Sequence, residues 1–425
     1  MLDRTIQPEI RNIETFTIPQ PNIVVLPNGI ELYTVNMGEQ EVVRLDLMFS
    51  SGKWDQEKIL AAVMTNMMLK EGAGELTSSK IAELLDYSGS WMQSSVTQHN
   101  SYLTLYALNK HFSSLLPIIE LIIKSPTFPE EEFRTLMSRQ KQQYLVDCEK
   151  VENLANFASI EQLFGASHPY GKRAAAEDFD LLTIEDLKKY HQKHYHSANC
   201  RVFLTGKLNE EHLAMVSELF GQQEWGMSSE TVDGSFEMVS SDEKFLKTEK
   251  PEAVQSAVRF SKMSIDRKHP DFNGLRVLNT VLGGYFGSRL MTSIREEKGY
   301  TYGIGSSLVT QQKAGYMTIA TQTGVEYVGP LIDAVFEEMD RLKIEEISPD
   351  EMERVRSYLL GEFARSFDGP FSIADAHISI LANQLGFDYY ENQLKVIQSI
   401  DSATLLLLAN KYLNREDFYV SVAGK

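Results

Sequence analysis

The sequence predicts an α+β protein made of two homologous α/β sandwich domains with mostly antiparallel sheets, related by internal duplication. Residues 94–98 (SSVTQ) and 102–105 (YLTL) alternate polar and apolar side chains, as half-buried strands do. Residues 307–311 (SLVTQ) and 316–319 (YMTI) repeat this pattern in the second half of the chain. Apolar residues at helical spacing follow each copy, so one structural unit is used twice.

Two further features occur once in each half. A proline followed by acidic residues predicts a helix start at 129–132 (PEEE) and again at 349–351 (PDE). Proline suits the first helical position. Acidic side chains in the first turn interact favourably with the free amides there and with the positive end of the helix dipole. Each half also contains a similar strand pattern, RVFLTGK at 201–207 and YVSVAGK at 419–425. Four paired features in one order support duplication.

Composition predicts where the two domains divide. Residues 223–250 are rich in Ser, Glu, Asp and Lys with little periodicity, which is typical of a linker. The predicted domains are therefore 1–222 and 251–425, both of an ordinary domain size. Strands and helices are mixed without regular βαβ alternation, which favours antiparallel sheets in an α+β sandwich.

Charge and cysteine content restrict the functions available to the chain. Lys plus Arg total 41 and Asp plus Glu total 59, so the net charge is −18. This charge repels nucleic acid and anionic lipid; it favours a basic peptide or partner, although solubility alone also explains it. No long apolar run suggests a membrane span or a secretory signal. Two cysteines, Cys148 and Cys200, form no disulfide framework, so we expect a reducing, cytoplasmic location.

The order of elements resembles the pitrilysin-type metallopeptidases, or inverzincins, which include the insulinases and the mitochondrial processing peptidases. The resemblance is carried by the helix at 58–69 and its continuation MMLKEG at 67–72. In active members this helix carries His-x-x-Glu-His, whose histidines bind Zn²⁺ and whose glutamate activates water. A glutamate from a later helix completes the ligand set.

The resemblance implies that this chain has a degenerate zinc site. It places Ala62, Thr65 and Asn66 at the three motif positions and Gln143 at the later glutamate. None of these side chains is an imidazole, a thiolate or a carboxylate. Glu149 lies a little further along the chain, but without the two histidines there is no ligand set for it to complete. Neither HxxEH nor HExxH occurs anywhere in the chain. We therefore expect no zinc or other cofactor in this chain, and zinc in a partner subunit.

A histidine cluster at 190–196 is the one other candidate for a metal site. His191 and His194 share a face of a predicted helix, and His196 follows. Two histidines alone are a weak metal signal. A polar helix end, with the side chains close to the last carbonyls, is the favoured interpretation.

The second half contains the pair Arg295 and Tyr302, within LGGYFGSRL at 282–290 and SIREEKGYTY at 293–302. The resemblance implies that this pair reaches the zinc site of a facing domain and binds the peptide carbonyl and its oxyanion. Guanidinium and phenol donors bind more strongly as negative charge grows on that oxygen. In the alternative interpretation, Arg295 forms an ordinary ion pair with neighbouring acids and Tyr302 is a half-buried strand residue. The glycines lack the full dinucleotide-binding fingerprint.

The resemblance also implies that the strand at 90–95 pairs with an extended peptide through its backbone. The sequence leaves open whether Trp91, within this strand, is exposed there or belongs to the core. The predicted function is a non-catalytic peptidase-family subunit that binds peptide and completes the site of a zinc-bearing partner in a heterodimer. A homodimer, a structural or peptide-binding homologue, and an enzyme with an unrecognised metal site are the alternatives.

Overall fold

The computed structural model describes residues 5, 16–227, 234 and 236–425. The strands within these residues are β1 (Asn22–Val25), β2 (Glu31–Asn36), β3 (Val42–Phe49), β4 (Gly72–Ala73), β5 (Leu76–Thr77), β6 (Trp91–Val96), β7 (Ser101–Leu108), β8 (Cys200–Gly206), β9 (Phe245–Glu249), β10 (Gln255–Ser264), β11 (Ile304–Thr310), β12 (Gly315–Gly324) and β13 (Tyr419–Gly424).

The α-helices within the same residues alternate with these strands. They are α1 (Ala61–Met68), α2 (Ser78–Tyr87), α3 (Asn109–Lys124), α4 (Glu130–Cys148), α5 (Val151–Phe164), α6 (Asp178–Leu181), α7 (Ile184–His194), α8 (Glu210–Val216), α9 (Phe272–Asn279), α10 (Val328–Ile344), α11 (Pro349–Arg365), α12 (Pro370–Ala382), α13 (Tyr389–Ser399) and α14 (Ser402–Tyr412). Short π-helical turns follow α8 and α9, and another spans Met291–Glu297.

Two sheets with the same topology confirm the predicted duplication. The first has the order β1-β2-β8-β3-β7-β6, and the second has the order β9-β13-β10-β12-β11. In each sheet one neighbouring pair is parallel, β2 with β8 and β9 with β13, while the other pairs are antiparallel. The two halves therefore share strand order and strand direction, as the α+β prediction required.

The strand β9 lies inside the stretch predicted as a linker, residues 223–250. It pairs with β13 in the second sheet, so the second unit extends back at least to Phe245. Residues 228–233 and 235 of the predicted linker lie outside the described residues. The range of the first predicted domain, 1–222, stays a prediction.

The predicted helix starts have the expected local chemistry. Pro129 is the N-cap residue of α4, and three glutamates fill its first turn. Pro349 occupies the first turn of α11, and the Ser348 hydroxyl accepts a hydrogen bond from the Glu351 amide (3.3 Å). The Ser348 hydroxyl satisfies an amide that has no partner within α11, and the glutamates of α4 interact favourably with the positive end of its helix dipole. They fix where the two equivalent helices begin.

Each sheet is covered on one face by a helix from the other half. Helix α5 packs on β10 and β13 of the second sheet, and α12 packs on β2 and β8 of the first. Small residues allow the first contact, since Ala155 touches the strands at Ala257 and Ala423. The central strands β3, β8, β10 and β13 are consequently buried along most of their length, as strands covered on both faces are.

A buried charge network fastens α12 to the first sheet. The Arg44 guanidinium donates from Nε and Nη2 to Oδ1 of Asp46 (3.0 and 2.9 Å), and Nη2 lies 2.7 Å from Asp375 on α12. Thr104 also donates to Asp46 (2.7 Å). Burial raises the pKa of Asp46, whose side chain is 1% exposed, so its negative charge depends on Arg44.

The histidines at the end of α7 are packed into the first half, so the prediction of a polar helix end needs correction. The ring nitrogen Nε2 of His191 donates to the Ile123 carbonyl (2.8 Å), and its ring stacks on Tyr195 (centroids 5.1 Å apart). The His194 ring lies 4.4 Å from the Tyr190 ring, and His196 is also buried. Burial lowers the pKa of both His191 and His194 to about 4.

Among the described helices, none combines the length and the apolar character needed to cross a membrane.

We expect Arg44→Ala to lower the free energy of unfolding by about 3–5 kcal/mol, because it leaves the Asp46 carboxylate buried without a cation. The matched variant Asp375→Asn removes only the exposed end of the network and should cost less than about 1 kcal/mol. Urea denaturation of the three proteins at pH 7.5 measures both effects. Equal losses in the two variants would contradict the role assigned to Asp46.

Acid should destabilise the protein between pH 6.5 and pH 4 through His191 and His194. Their pKa in the folded protein is about 4, below the ordinary value of 6.5. Between these two values the unfolded chain binds more protons than the folded chain, so acid favours unfolding. Between pH 7.5 and 5.0 we expect about 2 kcal/mol lost per histidine. Urea midpoints at the two pH values should differ less in His191→Gln than in wild type. The control His111→Gln should keep the wild-type difference.

Candidate functional site

The three positions of the degenerate zinc motif are core residues of the first half. Ala62 is fully buried on α1. The Thr65 hydroxyl donates to the Leu187 carbonyl on α7 (3.3 Å). The Asn66 amide donates to the Tyr195 hydroxyl (3.0 Å) and to the carbonyl of Tyr102 on β7 (3.2 Å). These side chains join α1 to its neighbours and are not directed at a solvent-filled site.

The donor set at this place does not fit Zn²⁺. Ala62 has no ligand atom, and the buried Thr65 and Asn66 offer only neutral oxygens and are occupied by hydrogen bonds. Zinc in proteins takes imidazole, thiolate or carboxylate ligands. The residues that the structure describes contain no group of three or more His, Cys, Asp or Glu side chains arranged to hold a metal ion. No catalytic step through a metal follows for this chain.

The predicted fourth position, Gln143, is exposed on α4. Its amide nitrogen donates to the Asp147 carboxylate one turn further along the same helix (3.1 Å). Glu149 at the end of α4 forms an ion pair with Lys250. Gln143 is therefore exposed, whereas Ala62, Thr65 and Asn66 are buried in the core.

The Arg295 and Tyr302 pair lines one cavity in the second half, of about 530 Å³. Arg295 lies in the π-helical turn Met291–Glu297, with its guanidinium 4.7 Å above the Phe286 ring and 3.7 Å from the Glu296 carboxylate. Its side chain is 33% exposed, so the guanidinium is held on one face and open on another.

Tyr302 extends into solvent from a loop that is itself fixed. The neighbouring Thr301 hydroxyl donates to the Gln322 carbonyl (2.6 Å) and accepts from Thr321 (2.9 Å). Tyr300 stacks on Tyr327 with 5.1 Å between ring centroids. Tyr302 itself is 92% exposed, so it is not the half-buried strand residue of the alternative interpretation. No described contact joins this pair to Ala62, Thr65 or Asn66.

Strand β6 lies at the end of the first sheet and pairs with β7 from Trp91 to Val96. In the described part of the chain no strand pairs with its outer edge. Trp91 is 60% exposed and packs edge-on against Tyr106 (centroids 4.7 Å apart), so it lies at the surface and does not belong to the core. The edge offers backbone donors and acceptors to an extended chain.

Sequence reasoning missed a second, polar cavity in the second half. It is lined by two arginines, Arg267 and Arg276, and by several hydroxyl groups from α11, α12 and α13. The one signal in the sequence is Arg276 within the otherwise apolar stretch LRVLNTVL at 275–282. A charged residue among core positions of a helix indicates either a buried ion pair or a binding site.

Comparison with known proteins bears on the family. Residues 181–359 match the family described as "Peptidase M16 inactive domain". An uncharacterized zinc protease of Rickettsia bellii is 21% identical over 92% of this chain and 94% of its own length. A non-peptidase homolog, YmxG, of Helicobacter pylori is 24% identical over 72% of this chain and 71% of its own. A probable mitochondrial-processing peptidase subunit beta of Arabidopsis thaliana is 21% identical over 96% and 78%.

The fold agrees with these matches. The crystal structure of a peptidase M16 inactive domain from Pseudomonas fluorescens superposes with a TM-score of 0.84 and 23% identity, covering 95% of this chain and 98% of that one. The names "inactive domain" and "non-peptidase homolog" fit a non-catalytic member. The matched domain, the relatives along most of the chain and the common fold confirm the resemblance of this chain to the M16 peptidases that its sequence predicted.

Proposed function

We propose that this chain is a non-catalytic M16 subunit that binds extended peptide and supplies Arg295 and Tyr302 to the active site of a zinc-bearing partner. The observation that carries the proposal is the contrast between the two halves. The first half has used its motif positions for core packing, whereas the second half presents an arginine and a tyrosine at an open cavity.

The chemistry of the pair supports a role in stabilising negative charge. A guanidinium and a phenol both donate hydrogen bonds, and neither of them needs a metal to do so. The face of Phe286 restrains Arg295, while Glu296 at 3.7 Å is too distant for a short hydrogen bond. A donor fixed in this way loses little freedom when a peptide oxygen arrives, which is the requirement of an oxyanion-binding group.

The exposure of Tyr302 favours catalytic use over a purely structural role. A tyrosine kept for stability buries its ring, as Tyr190 and Tyr195 do in the first half. Tyr302 buries almost none of its surface, while the residues on both sides of it are fixed by hydrogen bonding and stacking. The fold thus holds the loop in place and leaves the phenol available to a partner.

Peptide binding and pairing have separate support. The outer edge of β6 can add an extended peptide as a further strand, through backbone hydrogen bonds that depend little on sequence. Two relatives are named as the beta and alpha-1 subunits of mitochondrial-processing peptidases. The names of these relatives support a heterodimer with a zinc-bearing M16 chain, and a homodimer is the alternative assembly.

The second candidate function is a structural or peptide-binding homologue without a catalytic role. The relative named as a non-peptidase homolog favours it. This candidate predicts that Arg295 and Tyr302 are dispensable in any complex. For either function we propose a cytoplasmic location, which the unpaired cysteines Cys148 and Cys200 support.

In a complex with an HxxEH-bearing M16 partner, we expect Arg295→Ala and Tyr302→Phe each to lower kcat/KM for peptide cleavage by about 10²–10³-fold. Each variant removes a donor for the oxyanion and leaves the partner's zinc in place. The effect should fall mainly on kcat, because the interaction strengthens in the transition state.

Two exposed residues of the first half serve as matched controls, Arg134→Ala and Tyr87→Phe. Both should leave kcat/KM within about twofold of wild type, since neither lies near the cavity. Co-purification of every variant with the partner shows that assembly is intact. Wild-type cleavage by the Arg295→Ala complex would refute the shared site and support the structural homologue.

The purified chain should contain no stoichiometric zinc and should cleave no peptide by itself. Metal analysis after dialysis measures the first point. Restoring the motif with Ala62→His, Thr65→Glu and Asn66→His should not create a zinc site, because the positions are enclosed. The Ala62→His change alone should destabilise the fold by about 1–3 kcal/mol through overpacking. One zinc per wild-type chain would overturn the proposal.

A further inference from the structure

A cavity of about 640 Å³ lies in the second half, between α9, α11, α12, α13 and strand β11. Helices α9 and α11 occupy the places that α1 and α4 occupy in the first half, where active relatives would carry their zinc ligands. The first half has filled this place with packed side chains. The second half has kept it open, with a volume in the range of small-ligand sites.

Two guanidinium groups line the cavity without carboxylate partners. Arg267 donates to the hydroxyls of Thr310 and Ser379 (3.0 Å each). The Arg276 guanidinium forms no hydrogen bond or ion pair within the described residues. Burial lowers the pKa of Arg276 and the neighbouring positive charge of Arg267 lowers it further, while Tyr389, Tyr390 and Glu362 partly oppose these effects. A desolvated cation without a partner is costly, and a bound anion would remove that cost.

The acids on the cavity wall are already paired with other cations. Glu362 accepts two hydrogen bonds from Arg365 (2.6 and 2.8 Å). Asp375 lies 2.7 Å from Arg44 of the first half. Within the described residues neither acid forms an ion pair with Arg267 or Arg276, so both guanidinium groups keep donors available to a ligand in the cavity.

Two residues that line the same cavity carry buried amide oxygens that lack hydrogen-bond donors among the described residues. They are Oε1 of Gln393, whose residue is 2% exposed, and Oδ1 of Asn279. Buried polar atoms without partners are rare, so each needs an explanation. An anion such as phosphate offers oxygen acceptors to the arginines but little to these amide oxygens. A ligand that satisfies both sets carries an anionic group and N–H donors.

We propose that this cavity binds the C-terminal end of a peptide, with the terminal carboxylate on Arg267 and Arg276 and backbone N–H groups on Gln393 and Asn279. A carboxylate matches the planar donor geometry of guanidinium. Aromatic side chains on the wall, Phe272, Phe363 and Phe367, provide contact area for an apolar last residue. The site uses only residues of this chain and is independent of Arg295, Tyr302 and any partner.

The test is calorimetric titration of the isolated full-length chain with acetyl-Ala-Ala-Phe, its C-terminal amide and inorganic phosphate. We expect the free acid to bind at least about tenfold more tightly than either of the others. The variants Arg276→Gln and Gln393→Leu should each weaken binding of the acid by about tenfold or more. The control Arg134→Gln should bind the acid as wild type does.

A second measurement separates folding from binding. Because Arg276 is a half-buried charge without a partner, Arg276→Gln should keep or raise the Tm in the absence of peptide. Wild-type Tm should rise with the free acid, and the variant Tm should not. Equal binding of acid and amide, tighter binding of phosphate, no binding at millimolar concentration, or full binding by the Arg276→Gln variant would each overturn the proposal.

Discussion

The crossed packing of α5 and α12 is the interaction on which the rest of the structure depends. The central strands of each sheet are buried on both faces, and the helices of their own half cover only one of those faces. The second face is completed by a helix from the other half. Neither half can therefore bury its sheet alone, which makes the duplicated chain one cooperative structure. The Arg44 network then fixes the register of α12 on the first sheet.

This arrangement explains how one half can lose a catalytic motif without loss of the fold. Ala62, Thr65 and Asn66 are not metal ligands. They pack in the core, and the hydrogen bonds of Thr65 and Asn66 join α1 to α7 and β7. The second half contributes little to that core. Its loop at Tyr302 and its cavity at Arg267 and Arg276 stay open to solvent. In the proposed function, stability and recognition belong to different copies of the same unit.

Much of the fold could be predicted from the sequence, because strand alternation, helix starts and internal repetition are local signals. The strand β9 could not, since FLKTE is short and lies within a polar stretch. The histidines of α7 were assigned to a polar helix end because burial depends on Phe49, Tyr190 and Tyr195 packing around them, which is a tertiary effect. For the same reason the cavity at Arg276 required a structure, since its walls come from five separate elements. The pair Arg295 and Tyr302 came from family resemblance, and its use in catalysis stays a prediction.

The open edge of β6 has a consequence for the behaviour of the protein in concentrated solution. An unpaired strand beside an exposed tryptophan is a template on which a second copy could add its own edge, the first step of aggregation. The charge of −18 opposes that step, since two like-charged copies repel within a screening length of about 8 Å at physiological ionic strength. A short peptide carries far less charge and meets far less repulsion. The net negative charge therefore disfavours pairing of this edge with another copy more strongly than pairing with a small extended chain.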